Sequence, residues 1–405
     1  MAPGERDSHE EGGLFVSVLT TDAMTAATSD RSWLRAMLDF EVALARAEAR
    51  AGVIPTGAAE AIEQCCRRDH DFDPVALGRA GRLSGNPAVA LVGAVRERLA
   101  GQAAPWAHFG ATSQDMVDTA LMLVLRQALG LILGDMDRAK EAAAGLAERY
   151  RSAPMAARTL LQQALPTTFG RKAAGWLVAL SEVTDGLEHV LHHRLALQLG
   201  GPAGTLASLG EHALGVVDEV ASELGLLVPV LPWHTDRARV VEASSALALC
   251  AGAAAKVALD VSLLMQTEVG EVFEPFAPGR GGSSSMPHKR NPAMAASVTA
   301  AWRRAQGQSA VLLAAMPQEH ERAVGAWQAE PETISELCRS VAGAVSVTAD
   351  ILEGLEVDTA RMARNLDLGK DALGDDVPNV SRSLKPAEAL VDRALASYRK
   401  AGRHD

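Results

Sequence analysis

The chain has 405 residues, of which 48% are hydrophobic but only 4% aromatic, so Ala, Leu and Val carry most of its apolar content. Ala and Leu favour helices, whereas the aromatic residues that favour strands are scarce. A formal charge of −11 argues against a nucleic-acid-binding protein, because such proteins attract phosphates with an excess of basic residues. The high apolar content and the charged fraction of 22% also exclude a chain that is disordered throughout.

The N-terminal segment and the cysteines indicate the compartment. Residues 1–13 are acidic and polar, lack the apolar core of a signal peptide, and are predicted to form a disordered leader. The four cysteines form no CxxC pair, so neither a zinc knuckle nor a disulfide framework is indicated. The most apolar stretch, residues 119–134, is interrupted by Arg126 and is too short to span a bilayer. We therefore expect a cytoplasmic protein that binds neither membrane nor nucleic acid.

Helical patterns follow one another along the chain. Ser29 or Asp30 can cap a first helix, which Gly52 and Pro55 end. Shorter helices run to about Arg98. Four long helices are then predicted, of which the first and third are rich in Ala and Leu with few charges; the four cover residues 114–150, 168–199, 239–269 and 292–316. Smaller polar helices follow Glu353, with breaks expected at Gly369, Gly374 and Pro378.

These long apolar helices determine the predicted architecture. A helix that is apolar on nearly every face must be buried on all sides, and one chain can hardly cover several of them. We therefore predict an all-α fold built on a bundle of long helices that other subunits extend. Its three helical regions are expected at residues 1–106, 107–353 and 354–405.

The most unusual polar segment is residues 279–292. A Gly/Ser run leads into the basic residues His288, Lys289 and Arg290, and Asn291 then precedes the proline that opens a long helix. In an acidic protein this arrangement predicts a loop that binds a carboxylate or phosphate next to a helix N-terminus. A flexible surface turn has the same composition and stays an equal alternative.

A second polar segment, residues 108–115, precedes the first long helix. Thr112 and Ser113 could cap that helix, and Asp115 suits its positive end, whereas His108 and Gln114 go beyond what a cap requires. Two further segments, residues 158–163 and 232–237, are each more typical of a structural role when taken alone.

Two other motifs resemble binding sites only superficially. Residues 200–205, GGPAGT, lack the Gly-Lys-Ser/Thr ending of a phosphate-binding loop and follow no strand. Glu188, His189, His192 and His193 have the spacing of metal ligands, but a solvated helix face explains them better. No metal or organic cofactor is predicted.

Taken together, the polar segments resemble the fumarase/aspartase superfamily, which includes adenylosuccinate lyase. The run GSSSMPHKRNP is the most specific part of that resemblance. Longer runs resemble the 3-carboxy-cis,cis-muconate cycloisomerase family, and they extend from about residue 14 to 366; among them are TSDRSWLRAMLDFEVALARAEARAGVIP, SGNPAVALV, HFGATSQDMVDTA, ARTLLQQALPTTFGRKAAGWL, LGGPAGTLASLG, LPWHTDRARVVE, QTEVGEVFEP and QEHERAVGAWQAE.

This resemblance implies an architecture and a reaction. The fold would be all-α and tetrameric, with a twenty-helix central bundle and with active sites built from the GATSQD, RTLLQQ and SSSMPHKRNP segments of three chains. The reaction on a small di- or tricarboxylate would move a proton on the carbon next to a carboxylate, through an aci-carboxylate intermediate. It implies Ser283 as the base on a mobile loop, Lys289 and Asn291 as carboxylate ligands, and Thr159 as their aid.

The general acid is left open among His108, His234 and Gln163, and His108 is counted with Ser283 and Lys289 as catalytic. The remaining candidate substrate contacts are Asn86, Thr112, Ser113, Gln114, Arg158, Ser284, Met286 and His288.

Two departures from the superfamily pattern bear on the substrate. Leu160 follows Thr159, where fumarate-releasing relatives that expel an amine carry a histidine. A carboxylate leaves without protonation, so this change fits lactonisation, and it fits equally the loss of nitrite from nitrosuccinate. The chain is also shorter after Leu368 than is usual in cycloisomerases. A cycloisomerase is therefore the first hypothesis and a fumarate-releasing lyase the second; adenylosuccinate as its substrate is less favoured, and a non-catalytic structural member least.

Overall fold

The structure, a computed structural model, describes residues 13–99, 101–282, 286, 289–373 and 380–401, with only the backbone for 368–373 and 380–383. In this part of the chain the helices are α1 Asp22–Ala27, α2 Asp30–Arg50, α3 Thr56–Cys66, α4 Pro74–Gly81, α5 Ala88–Arg98, α6 Ser113–Arg149, α7 Phe169–His193, α8 Ala213–Leu224, α9 Ala238–Leu264, α10 Ala293–Ala314, α11 Glu330–Glu353, α12 Thr359–Leu373 and α13 Val380–Ala401. The strands are β1 Pro154–Thr159, β2 Gln162–Thr168, β3 Val272–Phe273 and β4 Glu356–Val357.

The all-α prediction is confirmed, and local chemistry explains both ends of α2. Ser29 caps α2 by accepting a hydrogen bond from the N–H of Ser32. The helix ends before Gly52, whose φ of +76° suits glycine. The break predicted at Gly369 is wrong, because α12 continues through it to Leu373. A single glycine costs a helix only about 1 kcal/mol, which the rest of the helix can offset. The breaks predicted at Gly374 and Pro378 lie outside the described residues, and so does the predicted leader at residues 1–13 except for Gly13.

Five long helices, α6, α7, α9, α10 and α11, pack against one another as a bundle. Many of their buried contacts are made by alanine, which lets helix axes approach closely; examples with no exposed surface are Ala139, Ala143, Ala254 and Ala305. Helices α2, α3, α5 and α8 pack around one end of this bundle, and α13 packs on α7.

Two bundle helices have the length and composition of membrane spans. Helix α6 continues uninterrupted through Arg126 over 37 residues, as the predicted helix at residues 114–150 requires, so the apolar stretch that was expected to be too short for a bilayer lies in a helix long enough to span one. In the most apolar 18-residue windows of α6 and α9, 67% and 44% of the residues are buried within the fold. Burial in a bundle accounts for this composition in α6, while α9 keeps part of its apolar surface exposed.

Strands β1 and β2 form an antiparallel hairpin that the sequence patterns did not predict. Leu160 and Leu161 make its two-residue turn with φ of 49° and 65°, values that type I′ turns require. Asn-Gly is the usual sequence for this turn, and Leu-Leu gives no such signal. Both leucines are exposed at the tip, so the hairpin projects from the bundle.

The two ends of the bundle carry different polar segments. Helices α6, α9 and α11 begin at one end of the bundle. There Gln114 donates a hydrogen bond to the carbonyl oxygen of His234. Helix α9 ends and α10 begins at the other, where Glu274 bonds the first turn of α10. The 27 residues of α9 separate these ends by about 40 Å at 1.5 Å per residue. We call them the His234 end and the Lys289 end.

Candidate functional site

At the His234 end, the buried carboxylate of Asp115 gathers four donors. It accepts from the backbone N–H groups of Thr112, Gly200 and Gly201 at 3.0, 3.0 and 2.9 Å. The fourth contact is with Nε2 of His234 at 2.7 Å. The start of α6, the glycine loop and the His234 segment are therefore joined at one carboxylate. The GGPAGT loop binds this internal anion through its N–H groups, in line with the prediction that it is not a nucleotide site.

The imidazole of His234 is bonded at one ring nitrogen and unbonded at the other in the part of the chain that the structure describes, and the residue is 4% exposed. Its Nε2 contacts Asp115, while Nδ1 hydrogen-bonds to none of the described residues. Glycine is required beside the ring, because a Cβ on Gly200 would lie 2.8 Å from Cε1 of His234. A Cβ on Gly204 would lie 3.9 Å from Nδ1. Gly204 therefore lies beside the Nδ1 edge of the ring, at a distance where a Cβ would make only an ordinary van der Waals contact.

Gln114 connects this site to a segment that the sequence patterns did not single out. Its amide nitrogen donates to Asp118 at 3.1 Å and to the carbonyl oxygen of His234 at 2.8 Å. Its amide oxygen accepts from Arg322 at 3.4 Å, and Arg322 also donates to the carbonyl of Gly201 at 3.1 Å. The cation of the QEHER run is the signal that could have pointed to this residue.

A buried ionic network lies next to the Asp115–His234 pair and involves the residue three positions after each of them. The guanidinium of Arg237 bonds both Asp118, at 2.8 and 2.9 Å, and Glu330. Burial outweighs Arg237 and raises the pKa of Glu330 above its usual range. Arg237 also stacks on Trp233, with its Cζ 4.8 Å from the ring centre. The His234 segment is therefore fixed rigidly to the starts of α6 and α11.

His108 is placed differently from His234. Its Nδ1 lies 2.6 Å from Oε1 of the buried Glu41, and its Nε2 is buried with no partner among the described residues. Burial lowers the pKa of His108, but the attraction of Glu41 outweighs this effect and the net pKa is raised. Glu48 lies on the same helix as Glu41, fully buried with both oxygens unbonded in the described structure, and burial together with Glu41 raises its pKa to about 9. This histidine is thus enclosed by acidic groups inside the fold.

Asn86 lies near the same end but faces another cavity. Its side-chain oxygen accepts from the N–H of Ala88 at 3.1 Å. The cavity has a volume of about 290 Å³, and Trp33, Met37 and Trp327 are among its lining residues. Ser113 is the first residue of α6, with Thr112 at the N-cap position, as the capping prediction required.

At the Lys289 end, the predicted carboxylate ligands Lys289 and Asn291 line one cavity of about 490 Å³ together with Arg280. Arg290 is not available to a ligand in the same way, because it forms a two-point ion pair with Glu356 at 2.8 and 2.9 Å. It also stacks on Phe273 at 4.5 Å. The basic cluster read from the sequence is therefore divided between a cavity and a structural ion pair.

The N-terminus of α10, which the sequence placed next to an anion-binding loop, already holds an anion of the chain itself. The N–H groups of Met294 and Ala295 donate to the buried carboxylate of Glu274 at 3.1 and 2.8 Å. The chain thus supplies its own anion to this helix start. Met286 is described and partly exposed. Ser283, Ser284 and His288 lie outside the described residues.

The hairpin residues lie near the Lys289 end but apart from the cavity residues. Arg158 makes a two-point ion pair with the buried Glu271 at 2.9 and 2.7 Å, and Asn365 of α12 also donates to Glu271 at 2.8 Å. Thr159 and Gln163 are exposed near the hairpin tip. The hairpin is therefore anchored by its arginine while its polar tip residues face outward.

The structure brings one group of predicted residues together and separates it from the others. Thr112, Ser113, Gln114 and His234 meet around Asp115, whereas Lys289, Asn291 and the hairpin lie about 40 Å away along α9. Among the described residues no group of His, Cys, Asp or Glu has the arrangement of a metal site. His189 of the suspected metal motif lies 3.6 Å from Glu242 instead.

Comparison with known proteins adds the family. A family described as lyase matches residues 17–307. The 3-carboxy-cis,cis-muconate cycloisomerase of Pseudomonas aeruginosa is 52% identical over 358 residues, which cover 88% of this chain and 78% of that protein. The nitrosuccinate lyase of Streptomyces davaonensis is 43% identical over 399 residues, which cover 95% of this chain and 84% of that protein. The crystal structure of 3-carboxy-cis,cis-muconate lactonizing enzyme from Pseudomonas putida superposes with a TM-score of 0.88 at 42% identity and covers 96% of this chain and 99% of that one.

Proposed function

We propose that this chain, which belongs to the lyase family of the fumarase/aspartase superfamily, interconverts 3-carboxy-cis,cis-muconate and its lactone. The relatives compared with it are cycloisomerases and lyases. The observation that carries the proposal is 52% identity to a cycloisomerase over 88% of the chain. Leu160 supports it, because a carboxylate leaving group needs no proton donor at that position. The reaction would belong to aromatic catabolism, in the β-ketoadipate pathway.

The proposed mechanism passes through an aci-carboxylate. In the direction of lactone formation, a carboxylate oxygen adds to the double bond and the electron pair moves into the neighbouring carboxylate. The ammonium of Lys289 and the amide of Asn291 would stabilise the resulting charge, and Thr159 would assist them. By resemblance, Ser283 would deliver the proton to carbon and remove it in the reverse direction.

We propose that active sites form between subunits of a homotetramer. Superfamily members are oligomeric, and in one chain the two ends that carry candidate residues lie about 40 Å apart. Helices α9 and α10 supply a surface for association: Leu249 and Leu259 are 60% and 56% exposed, and Ala296 and Ala300 leave a smooth face on α10. An antiparallel pairing of bundles would bring a His234 end next to Lys289 ends of neighbouring chains.

The other candidates divide between the two ends under this proposal. Asn86, Thr112, Ser113 and Gln114 would contact the substrate from the His234 end, while Gln163, Met286, Ser284 and His288 would act from neighbouring chains. Arg158, which the ion pair with Glu271 occupies, would hold the hairpin in place instead of contacting the substrate. The protein would act in the cytoplasm as a soluble enzyme, because its apolar helices serve to build the bundle and the tetramer.

A second function is favoured by one observation. The alignment with the nitrosuccinate lyase covers 95% of this chain, whereas that with the P. aeruginosa cycloisomerase covers 88%. Loss of nitrite also needs no proton donor, so the same residues would release fumarate from nitrosuccinate by the reverse type of step.

Direct assays separate these functions. Purified protein is incubated with 3-carboxy-cis,cis-muconate, nitrosuccinate and adenylosuccinate in parallel, while absorbance records loss of muconate or gain of fumarate. Turnover of muconate alone is expected, and turnover of nitrosuccinate alone would overturn the first proposal in favour of the second. Ser283→Ala is expected to abolish turnover while native mass spectrometry still finds a tetramer.

A further inference from the structure

We infer that His234, held by Asp115, is the residue that exchanges a proton with the substrate carboxylate, and that His108 is structural. This inference rests on the proposed function and selects among the three candidates for a general acid. It also assigns Asp115, which the sequence patterns treated only as a helix-end residue, as a positioning residue.

The first step concerns the ring nitrogen that each histidine leaves free. His234 contacts Asp115 through Nε2, so Nδ1 is the ring nitrogen left for a ligand. Nδ1 lies beside the glycine loop, where a Cβ on Gly204 would be 3.9 Å away. His108 bonds Glu41 through Nδ1, and its Nε2 is buried. Among the described residues, Nε2 of His108 is one of the fully buried side-chain atoms that lack a partner, whereas Nδ1 of His234 is not. The free nitrogen of His234 therefore keeps some exposure to a ligand, although the residue as a whole is only 4% exposed.

The second step concerns how firmly the ring is held. Asp115 is fully buried and receives three backbone N–H groups besides the imidazole, so the carboxylate cannot turn away. Its bond to Nε2–H fixes the tautomer and leaves the lone pair on Nδ1 in the neutral ring. A carboxylate that orients an imidazole in this way is a familiar device for proton transfer.

The third step excludes Gln163. It is exposed on the hairpin near the Lys289 end, and a neutral amide cannot give up a proton at accessible pH. Gln163 can donate a hydrogen bond to a neighbouring chain's substrate, but it cannot act as an acid.

The proposed step balances as follows. As the new C–O bond forms, the π-electron pair moves onto the adjacent carbon and into its carboxylate, and the Nδ1 proton of the His234 imidazolium passes to an oxygen of that group. The ring becomes neutral and the dianion becomes a monoanion. When carbon then takes a proton from a second donor, the carboxyl proton returns to Nδ1.

Two substitutions at one position separate a catalytic from a structural role. His234→Gln places an amide nitrogen near the position of Nε2, so it keeps a donor for Asp115 but removes the ionisable Nδ1. We expect its kcat to fall at least about 100-fold while the tetramer and the affinity for a competing tricarboxylate persist. The matched control is His70→Gln, the same change at a histidine whose side chain is 76% exposed, and it is expected to leave kcat within about twofold of wild type.

The pH profile adds a second readout. The charged and titratable groups around His234 are Asp115 from α6, Arg322 and His320 from the segment before α11, and Asp236 and Arg237 beside it in the chain. If His234 carries the proton, His234→Gln removes one limb of the kcat profile. A kcat within threefold of wild type for folded His234→Gln would overturn the inference.

A chemical measurement keeps the test decisive if a variant fails to fold. Wild-type enzyme is treated with diethyl pyrocarbonate with and without propane-1,2,3-tricarboxylate, and the peptide that contains His234 is analysed by mass spectrometry. Protection of His234 by the tricarboxylate is expected, and equal modification with and without it would overturn the inference. Because this readout needs no turnover, absence of activity on every substrate would count against the proposed function alone.

Discussion

Glu274 caps helix α10 by accepting a hydrogen bond from the N–H of Ala295 at 2.8 Å, with a second from Met294 at 3.1 Å. Glu274 itself is buried and follows β3, which pairs with β4 after α11. One carboxylate therefore ties the start of α10 to the small sheet at the Lys289 end. The charge that the helix dipole attracts is internal, and Lys289 and Asn291 next to it are the groups proposed to bind a ligand.

Replacing this cap is expected to destabilise the enzyme. Glu274→Ala leaves two N–H groups without their acceptor and removes a charge from the helix start, which should cost about 1–2 kcal/mol. Thermal unfolding at fixed protein concentration measures the change. Glu211→Ala is the matched control, because that side chain is 90% exposed. Equal melting temperatures for Glu274→Ala and the control would contradict the assignment.

Gly281 and Gly282 are neighbours at which the same substitution is expected to affect activity differently. Gly281 has φ of +64°, its carbonyl accepts from the N–H of Asn291 at 2.9 Å, and a Cβ there would overlap the carbonyl oxygen of Asn291. Gly281→Ala should therefore displace Asn291 and Lys289 and reduce kcat/KM at least about tenfold. A Cβ on Gly282 meets nothing within 4 Å, so Gly282→Ala is the control. If both variants keep wild-type kcat/KM, the placement of Asn291 does not matter for the reaction.

Glu48 predicts a pH dependence of stability. Its pKa is raised from about 4.5 to about 9 in the folded state by burial and by Glu41, so between these pH values the folded protein binds more protons than the unfolded chain. The contribution of Glu48 to the free energy of unfolding is therefore most favourable below about pH 4.5, and it is lost as the pH rises to about 9. Glu48→Gln, which stays neutral, should melt at least about 5 °C above wild type at pH 9 and within about 2 °C of it at pH 5.

The control for this prediction is Glu211→Gln, whose exposed side chain should give the wild-type melting curve at both pH values. A difference between Glu48→Gln and wild type that is the same at pH 5 and pH 9 would show that Glu48 does not titrate between them.

The sequence predicted the helices more fully than it predicted the contacts among polar residues. Periodicity and caps indicated α2, α6, α7, α9 and α10 because each is long and largely apolar. The hairpin was missed because its Leu160-Leu161 turn carries no Gly or Asn. Local patterns also cannot show which partner a charge will meet.

The polar partners illustrate this limit. Asp115 was recognised as a residue suited to a helix start, but its bond to His234 joins residues 119 positions apart. Arg290 belonged to the predicted anion-binding cluster, yet it pairs with Glu356, which is 66 residues away. Such pairs depend on how the helices pack, so only the folded arrangement distinguishes a free cation from one that is already paired.

The separation of the two ends along α9 leads to a final prediction about mixed tetramers. In the proposed tetramer, His234→Asn and Lys289→Ala are each expected to inactivate the enzyme when all four chains carry the change, because each residue is proposed to act in every site. If a site takes its His234 and its Lys289 from different chains, co-expression of the two variants in equal amounts should restore about a quarter of wild-type activity, since each segment is intact in half of the chains. If both residues of a site came from one chain, no mixed site would be intact and the mixture would stay inactive. The 40 Å between the ends favours recovery, and co-expression of either variant with itself supplies the baseline.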